Sequence, residues 1–175
     1  MTEPEGSTPN LPQQQRRARR IALTPEEMEQ LLAEQRTCRV GSIGFDGRPH
    51  VTPMWYAWDG ASIWLYSILK SQRWTNLMRD PRVSVVVDTG DDYFELRGIE
   101  FIGRVEPIGE QPRTGEPNPE LETAELILAR RYMGGDVVFH DGRHAWLRLQ
   151  PEKIVSWDFR KLDPGNVAFN PSPQG

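Results

Sequence analysis

The chain is poor in the features that would settle its chemistry at once. It has one cysteine in 175 residues, Cys38. An internal disulfide is therefore impossible, and the thiol count suits a reducing compartment. Cys38 opens a β-rich stretch, where a small buried filler is the expected role and a reactive thiol the competing one. A basic excess is also missing, since the net charge is −4. The first 20 residues carry +2 and the remainder −6, which argues against nucleic-acid binding, including by a basic arm. No apolar run approaches the roughly 20 residues that span a bilayer. Met1–Gln15 has no apolar signal core, so the expected location is the cytosol. Nucleophile-elbow, Walker and GxGxxG motifs are absent. His140 and His144 have helical ligand spacing, but Asp141-Gly142 between them reads as a turn and no third ligand is evident, so no metal site is expected. His50 could act as an acid or base, although a structural or solvent-facing role is the favoured reading.

What is present is one domain's worth of β-rich chain, enough to bury a core. Residues 1–20 are rich in Pro, Gly, Ser and Gln and end in Arg16, Arg17, Arg19 and Arg20. They read as a disordered basic arm. Residues 21–160 form the folded domain, and 161–175 a weakly structured tail. Thr24-Pro25-Glu26-Glu27 is a helix start with a capping box, and Met28, Leu31 and Leu32 give that helix an apolar stripe. Asp46-Gly47 and Asp59-Gly60 read as two-residue type I′ hairpin turns. They would join strands near 39–45, 48–58 and 61–67 into an antiparallel meander. Pro53, unable to donate to a ladder, marks a bulge or a sheet edge in mid-strand. A helix over 72–80 carries Trp74, Leu77 and Met78 on one face. Val83, Val85 and Val87 alternate as a strand, and Tyr93–Pro107 reads as a long one, with Gly98 and Gly103 as bulges. A helix around 121–132 stops at Gly134-Gly135. Trp146–Leu149 and Lys153–Phe159 read as two last strands.

The clearest chemical signal is at the helix start after the strand Ser62–Ser67. Lys70, Ser71 and Arg73 stand at or just before it, and Asn76 follows one turn on. Exposed N–H groups and the positive dipole end favour an anion there. Two cations in a first turn are unfavourable for the helix itself, so an anion that offsets them is the sharper reading. The plain one is a charged cap with a solvated face. Trp55, Trp64, Tyr66 and Trp74 could wall an aromatic ring, although strand aromatics are more often core.

Several runs carry a family likeness. They are Val40–Phe45, Asp46-Gly47-Arg48-Pro49-His50-Val51-Thr52-Pro53-Met54-Trp55, Ser71–Ser84, Glu95-Leu96-Arg97-Gly98 with Gly103, and Pro151–Asp158. Over roughly residues 24–160 the chain resembles the pyridoxamine 5'-phosphate oxidase-like split β-barrel superfamily, most closely its flavin/deazaflavin oxidoreductase B group. The resemblance implies a mainly β single domain with flanking helices, folded as an FMN-binding type split β-barrel. It implies a homodimer with the cofactor, coenzyme F420 as the lead or FMN, at the interface. Val51, Thr52, Pro53, Met54 and Trp55 would line the cofactor ring, and Ser67, Lys70, Ser71, Arg73 and Asn76 would surround its phosphate. Arg73 stands where lysine is common, and Gln72 replaces a basic residue. The implied activity is hydride transfer between that cofactor and a small organic substrate, with no side chain assigned as catalytic. The alternative is a flavin- or haem-binding carrier or sensor without turnover. Trp157 is a candidate for the dimer seam, with a core role as the competing reading.

Overall fold

A computed structural model describes residues 18–162 and Gly165. The basic arm and the C-terminal tail lie mostly outside the described residues. Arg19–Ile21, at the arm's end, form one 3-10 turn.

Seven antiparallel strands make one sheet: β1 (Cys38–Ile43), β2 (Pro49–Met54), β3 (Ala57–Trp58), β4 (Ile63–Ile68), β5 (Arg82–Thr89), β6 (Arg97–Ile108) and β7 (His144–Asp158). Their order is β2-β1-β5-β6-β7-β4-β3. This order dictates curvature. β2 and β3 are sheet neighbours of nothing in common, yet only Trp55 and Tyr56 separate them in the chain. In a flat sheet six spacings of about 4.8 Å would hold them about 29 Å apart. Three residues span at most about 11 Å. The sheet must therefore curl until its ends approach, which makes a barrel split between β2 and the β3–β4 edge. The expected split β-barrel is the fold observed.

The expected middle strand over 48–58 is thus two strands. It leaves β1 after Met54 and joins β4 at Ala57, so the meander is interrupted rather than continuous. Pro53 lies on the terminal strand β2, opposite Arg39, an edge position that needs no donor. The two Asp-Gly turns are also not type I′. Gly47 and Gly60 have φ of +79° and +94°, but neither aspartate has positive φ. Their carboxylates stabilise the turns instead. Asp46 Oδ1 accepts from Arg48 N at 3.1 Å, and Asp59 Oδ1 from Ala61 N and Ser62 N at 2.8 and 2.7 Å.

Tyr93–Glu95 is a 3-10 turn before β6 rather than part of it. The two last strands are one, β7, with a register shift opposite Ile102/Gly103. Gly103 therefore marks an irregularity as expected, whereas Gly98 does not. A Cβ at Gly98 would lie 2.4 Å from the Trp157 ring, so the glycine is a seat for that tryptophan.

The barrel interior holds Val40, Leu65, Val83, Val85, Val87, Ile99, Phe101, Leu147 and Leu149. Helix α1 (Pro25–Glu34) adds Leu31 and Leu32 to it, and Thr24 with Glu27 forms the expected capping box. Cys38 is fully buried there, and burial pushes its thiol up to about 12. Helix α2 (Gln72–Arg79) buries Trp74 and Leu77, but Met78 is exposed. Helix α3 (Glu122–Leu128) continues as a π turn to Met133 and ends at Gly134 with φ +74°. It packs outside the barrel, against Ala57, Trp64 and Trp146.

Candidate functional site

Period-two alternation splits β2 into two faces. Pro49, Val51 and Pro53 are exposed, while His50, Thr52 and Met54 are half-buried. Ser67 of β4 is fully buried. Arg73, in the first turn of α2, reaches across the split between these strands. Its Nη1 donates to Thr52 Oγ1 at 2.8 Å and its Nη2 to Ser67 Oγ at 3.2 Å.

Arg73 is only 8% exposed. No carboxylate is among its partners, and its Nε is buried with no partner at all. Burial pulls its pKa below the usual arginine value. A cation taken out of water is costly unless it is paired. Hydroxyl partners differ from carboxylates in one useful respect. Each can accept from the guanidinium and also donate to an anion laid against it. The arrangement fits an oxyanion, and a phosphate in particular, because guanidinium and phosphate match in planar two-point contact.

The other expected phosphate residues are disposed differently. Ser71 is the cap of α2. Its Oγ accepts from Trp74 N at 3.1 Å and donates to Ile68 O at 2.7 Å, so its hydroxyl serves the helix start. Lys70 is exposed beside it. Asn76 is buried, with Nδ2 donating to Ser42 Oγ at 3.2 Å and Oδ1 accepting from Gln72 Nε2 at 2.8 Å. The structure thus joins Thr52 and Ser67 through Arg73, and places Lys70, Ser71 and Asn76 around the start and first turns of the same helix.

Among the four aromatics considered as ring walls, Trp64 and Trp74 are core, Tyr66 is half-buried, and Trp55 is half exposed. Trp55 stands where the chain crosses from β2 to β3. It stacks on Tyr132 with centroids 4.7 Å apart and planes 12° from parallel. Arg36 and Arg131 lie over the same Tyr132 ring at 5.1 and 5.5 Å. Tyr132 Oη donates to Arg36 O or Tyr56 O, at 2.9 and 3.0 Å. An exposed indole is thereby held rigid at the mouth of the split. Along the chain Tyr132 reads only as a member of the 121–132 helix and Arg131 carries no signal, because their contacts join segments about 96 residues apart.

His140 and His144 each have a partner of their own. His140 faces the Tyr66 hydroxyl at 3.3 Å, and His144 is bound to Asp141 at 2.8 Å. Among the described residues no group of three potential ligands is present. A cavity of about 560 Å³ lies elsewhere, over β1, β5 and β6, lined by Gly41, Ser84, Ile102, Arg82 and Arg104. It includes none of the expected site residues.

The curled sheet, its split and the cation set in that split define the chain as a split-barrel protein. The family model for pyridoxamine 5'-phosphate oxidase matches residues 24–158, and the chain belongs to that family. Among solved structures, a conserved hypothetical protein from Mycobacterium tuberculosis, Rv2991, is 33% identical. The match covers 91% of this chain and 99% of that one with a TM-score of 0.70. An F420 reductase is 26% identical over 73% of this chain and 94% of its own, with a TM-score of 0.56. A FAD-binding protein from Mesorhizobium loti, at 23% identity, 77% and 92% coverage and a TM-score of 0.58, shares the fold. No curated protein matches the chain.

Proposed function

We propose that the protein is an oxidoreductase that moves a hydride between coenzyme F420, or failing that FMN, and a small organic substrate. The observation that carries this is Arg73, a buried arginine with an unpartnered Nε and only hydroxyls as hydrogen-bond partners, in the split of the barrel. Both cofactors have a planar ring joined to a phosphate. The likeness to an F420 reductase supports F420 as the lead.

When bound, the ring supplies the hydride chemistry. The chain's own residues bind and orient. Arg73, with Thr52 and Ser67, holds the phosphate, and the positive end of α2 beside Lys70 adds to that attraction. Val51–Trp55 border the ring, with the Trp55 indole locked against Tyr132. The exposed apolar side of β2 and the half-buried Trp157 support a second subunit there, with the cofactor in the seam of a homodimer. No helix among the described residues is long and apolar enough to cross a membrane, and the single buried cysteine supports the cytosol as the working location.

Titration of the purified protein with F420 and with FMN, followed by absorption and fluorescence, tests the reading. Arg73→Ala is expected to weaken binding by about 1.5–3 kcal/mol, the scale of a hydrogen bond to a charged group. An unchanged dissociation constant would refute the phosphate assignment. Tight binding without hydride transfer to any acceptor would favour a carrier or sensor instead.

A further inference from the structure

A single exposed apolar side chain is ordinary. Trp55 differs because the fold pins it. It is 49% exposed, yet one face of its indole is covered by the Tyr132 ring, 4.7 Å away and nearly parallel. The exposed area therefore lies on the opposite face and the ring edge. Tyr132 is itself fixed, by Arg36 and Arg131 against its ring and by its hydroxyl on Arg36 O or Tyr56 O. A ring with one covered face and one open face, held before any ligand arrives, is a preformed stacking surface.

Its place in the cleft separates it from the anion site. Thr52, which accepts from Arg73, stands three residues earlier. At about 3.3 Å per residue the indole is about 10 Å further along the chain, at the end of the cleft away from Arg73. The neighbouring surface is apolar. Met133 follows Tyr132 and is exposed. Val137 and Phe139 are exposed on either side of Val138, which is buried in the cluster that Tyr132 packs against. The cations nearby are already used. Arg131 donates to Ala33 O and Gln35 O at the C-terminal end of α1, Arg36 donates to Arg131 O at 2.5 Å, and Arg130 pairs with Asp136 at 2.7 Å. What this neighbourhood offers a ligand is a flat apolar face rather than a counter-charge.

We propose that the open face of Trp55 is the substrate platform: it takes a planar, uncharged aromatic or conjugated molecule, and Tyr132 is the positioning residue that holds the indole for it. This rests on the reading of the cleft as a cofactor site, and names the substrate class which that reading leaves open. Flatness is selected because a stacked pair needs contact over the whole ring face, which a saturated ring cannot make. Trp55 then decides which small molecule is admitted and contributes little to holding the phosphate-bearing cofactor.

Three probes of one skeleton separate shape from charge. 2-Acetylnaphthalene is planar and uncharged, 2-acetyldecalin is its saturated counterpart, and 2-naphthoate is planar and anionic. Binding is followed by NMR at the Trp55 indole N–H, identified by its loss in Trp55→Phe, in the ligand-free protein and again with F420 or FMN present. 2-Acetylnaphthalene should move that resonance. It should bind about tenfold more tightly than 2-acetyldecalin and at least as tightly as 2-naphthoate. Trp55→Phe should keep its affinity within about threefold. Trp55→Leu should weaken it about tenfold, while leaving the affinity for 2-acetyldecalin and the melting temperature near the parent's. Equal affinities for the flat and saturated probes, tighter binding of 2-naphthoate, an unmoved indole resonance at saturation, or no binding of any probe would each overturn the proposal. So would a Trp55→Leu protein that falls apart into monomers where the parent stays dimeric, since the indole would then belong to a subunit contact.

The cofactor arm separates the two readings. If 2-acetylnaphthalene moves the Trp55 resonance but neither F420 nor FMN binds, the platform stands and the redox reading falls. If a cofactor binds, displaces 2-acetylnaphthalene and loses about tenfold in affinity in Trp55→Leu, the indole serves the cofactor. The redox reading then stands and the platform falls.

Discussion

Arg73 is expensive where it stands. Removing a lone buried charge in favour of an apolar side chain is neutral or stabilising in cases where no partner charge is orphaned. Arg73→Met is therefore expected to melt at or above the parent's temperature without ligand, while losing anion binding. Thermal unfolding with and without cofactor checks both halves, and a large loss of stability in the ligand-free protein would mean Arg73 is a structural strut. Arg113 is the instructive contrast. It is 2% exposed but fully paired, with Glu110 at 2.6 Å and Glu125 at 2.7 Å. Arg113→Met leaves two half-buried carboxylates without their partner, so it should be destabilising at neutral pH by urea unfolding. Burial pushes the Glu110 carboxyl up, but its own backbone, Thr114 and Arg113 outweigh that and hold it at about 2. A carboxyl depressed on folding contributes stability above its unfolded pKa, near 4.5, and loses it as pH falls towards 2. The penalty of Arg113→Met should accordingly shrink as the pH is lowered through that window.

At the scale of elements, the pairing of β6 with β7 depends on a missing side chain. Gly98 lies opposite Trp157, and an added Cβ would meet the ring at 2.4 to 3.0 Å. Gly98→Ala is expected to cost about 1–3 kcal/mol as an overpacking change. The same substitution in a Trp157→Ala background should cost much less. A double-mutant cycle by urea denaturation measures the coupling, and additivity of the two changes would show that the ring moves aside freely. The turns teach a related lesson. Asp-Gly marked both hairpin positions correctly, but the turn type was set by the aspartate carboxylates capping backbone N–H groups, a local competition that the dipeptide alone does not reveal.

For the molecule as a whole, the exposed edge strand β2 and the seat of Trp157 bear on assembly. If a second subunit covers them and the cofactor lies between, ligand binding and dimerisation are linked by mass action. Sedimentation at falling protein concentration should show a dimer that persists to lower concentration with F420 or FMN than without. A monomer binding cofactor as tightly as the dimer would sink this picture. Trp157→Ala should shift the same equilibrium towards monomer if that residue is in the seam, and leave it unchanged if the ring serves only Gly98.

Much of this protein was legible along the chain. The capping box of α1, the Ser71 start of α2, the alternating valines of β5 and the Gly134 stop are all local, set by hydrogen bonds and burial within a few residues. The motif runs carried the family, and with it the expectation of a split barrel and a phosphate near Arg73. The break of the 48–58 strand was not legible, because β2 and β3 owe their separate partners to strands far off in sequence. Nor was the isolation of the Arg73 charge, since a guanidinium is costly or cheap according to which side chains other elements bring to it. The packing around His50 is of the same kind. Its residue type and its face on β2 could be read from the sequence, but that nothing satisfies its Nδ1 is a property of Ser42, Asn76 and Gln72 already holding one another. Only the closed barrel could decide that.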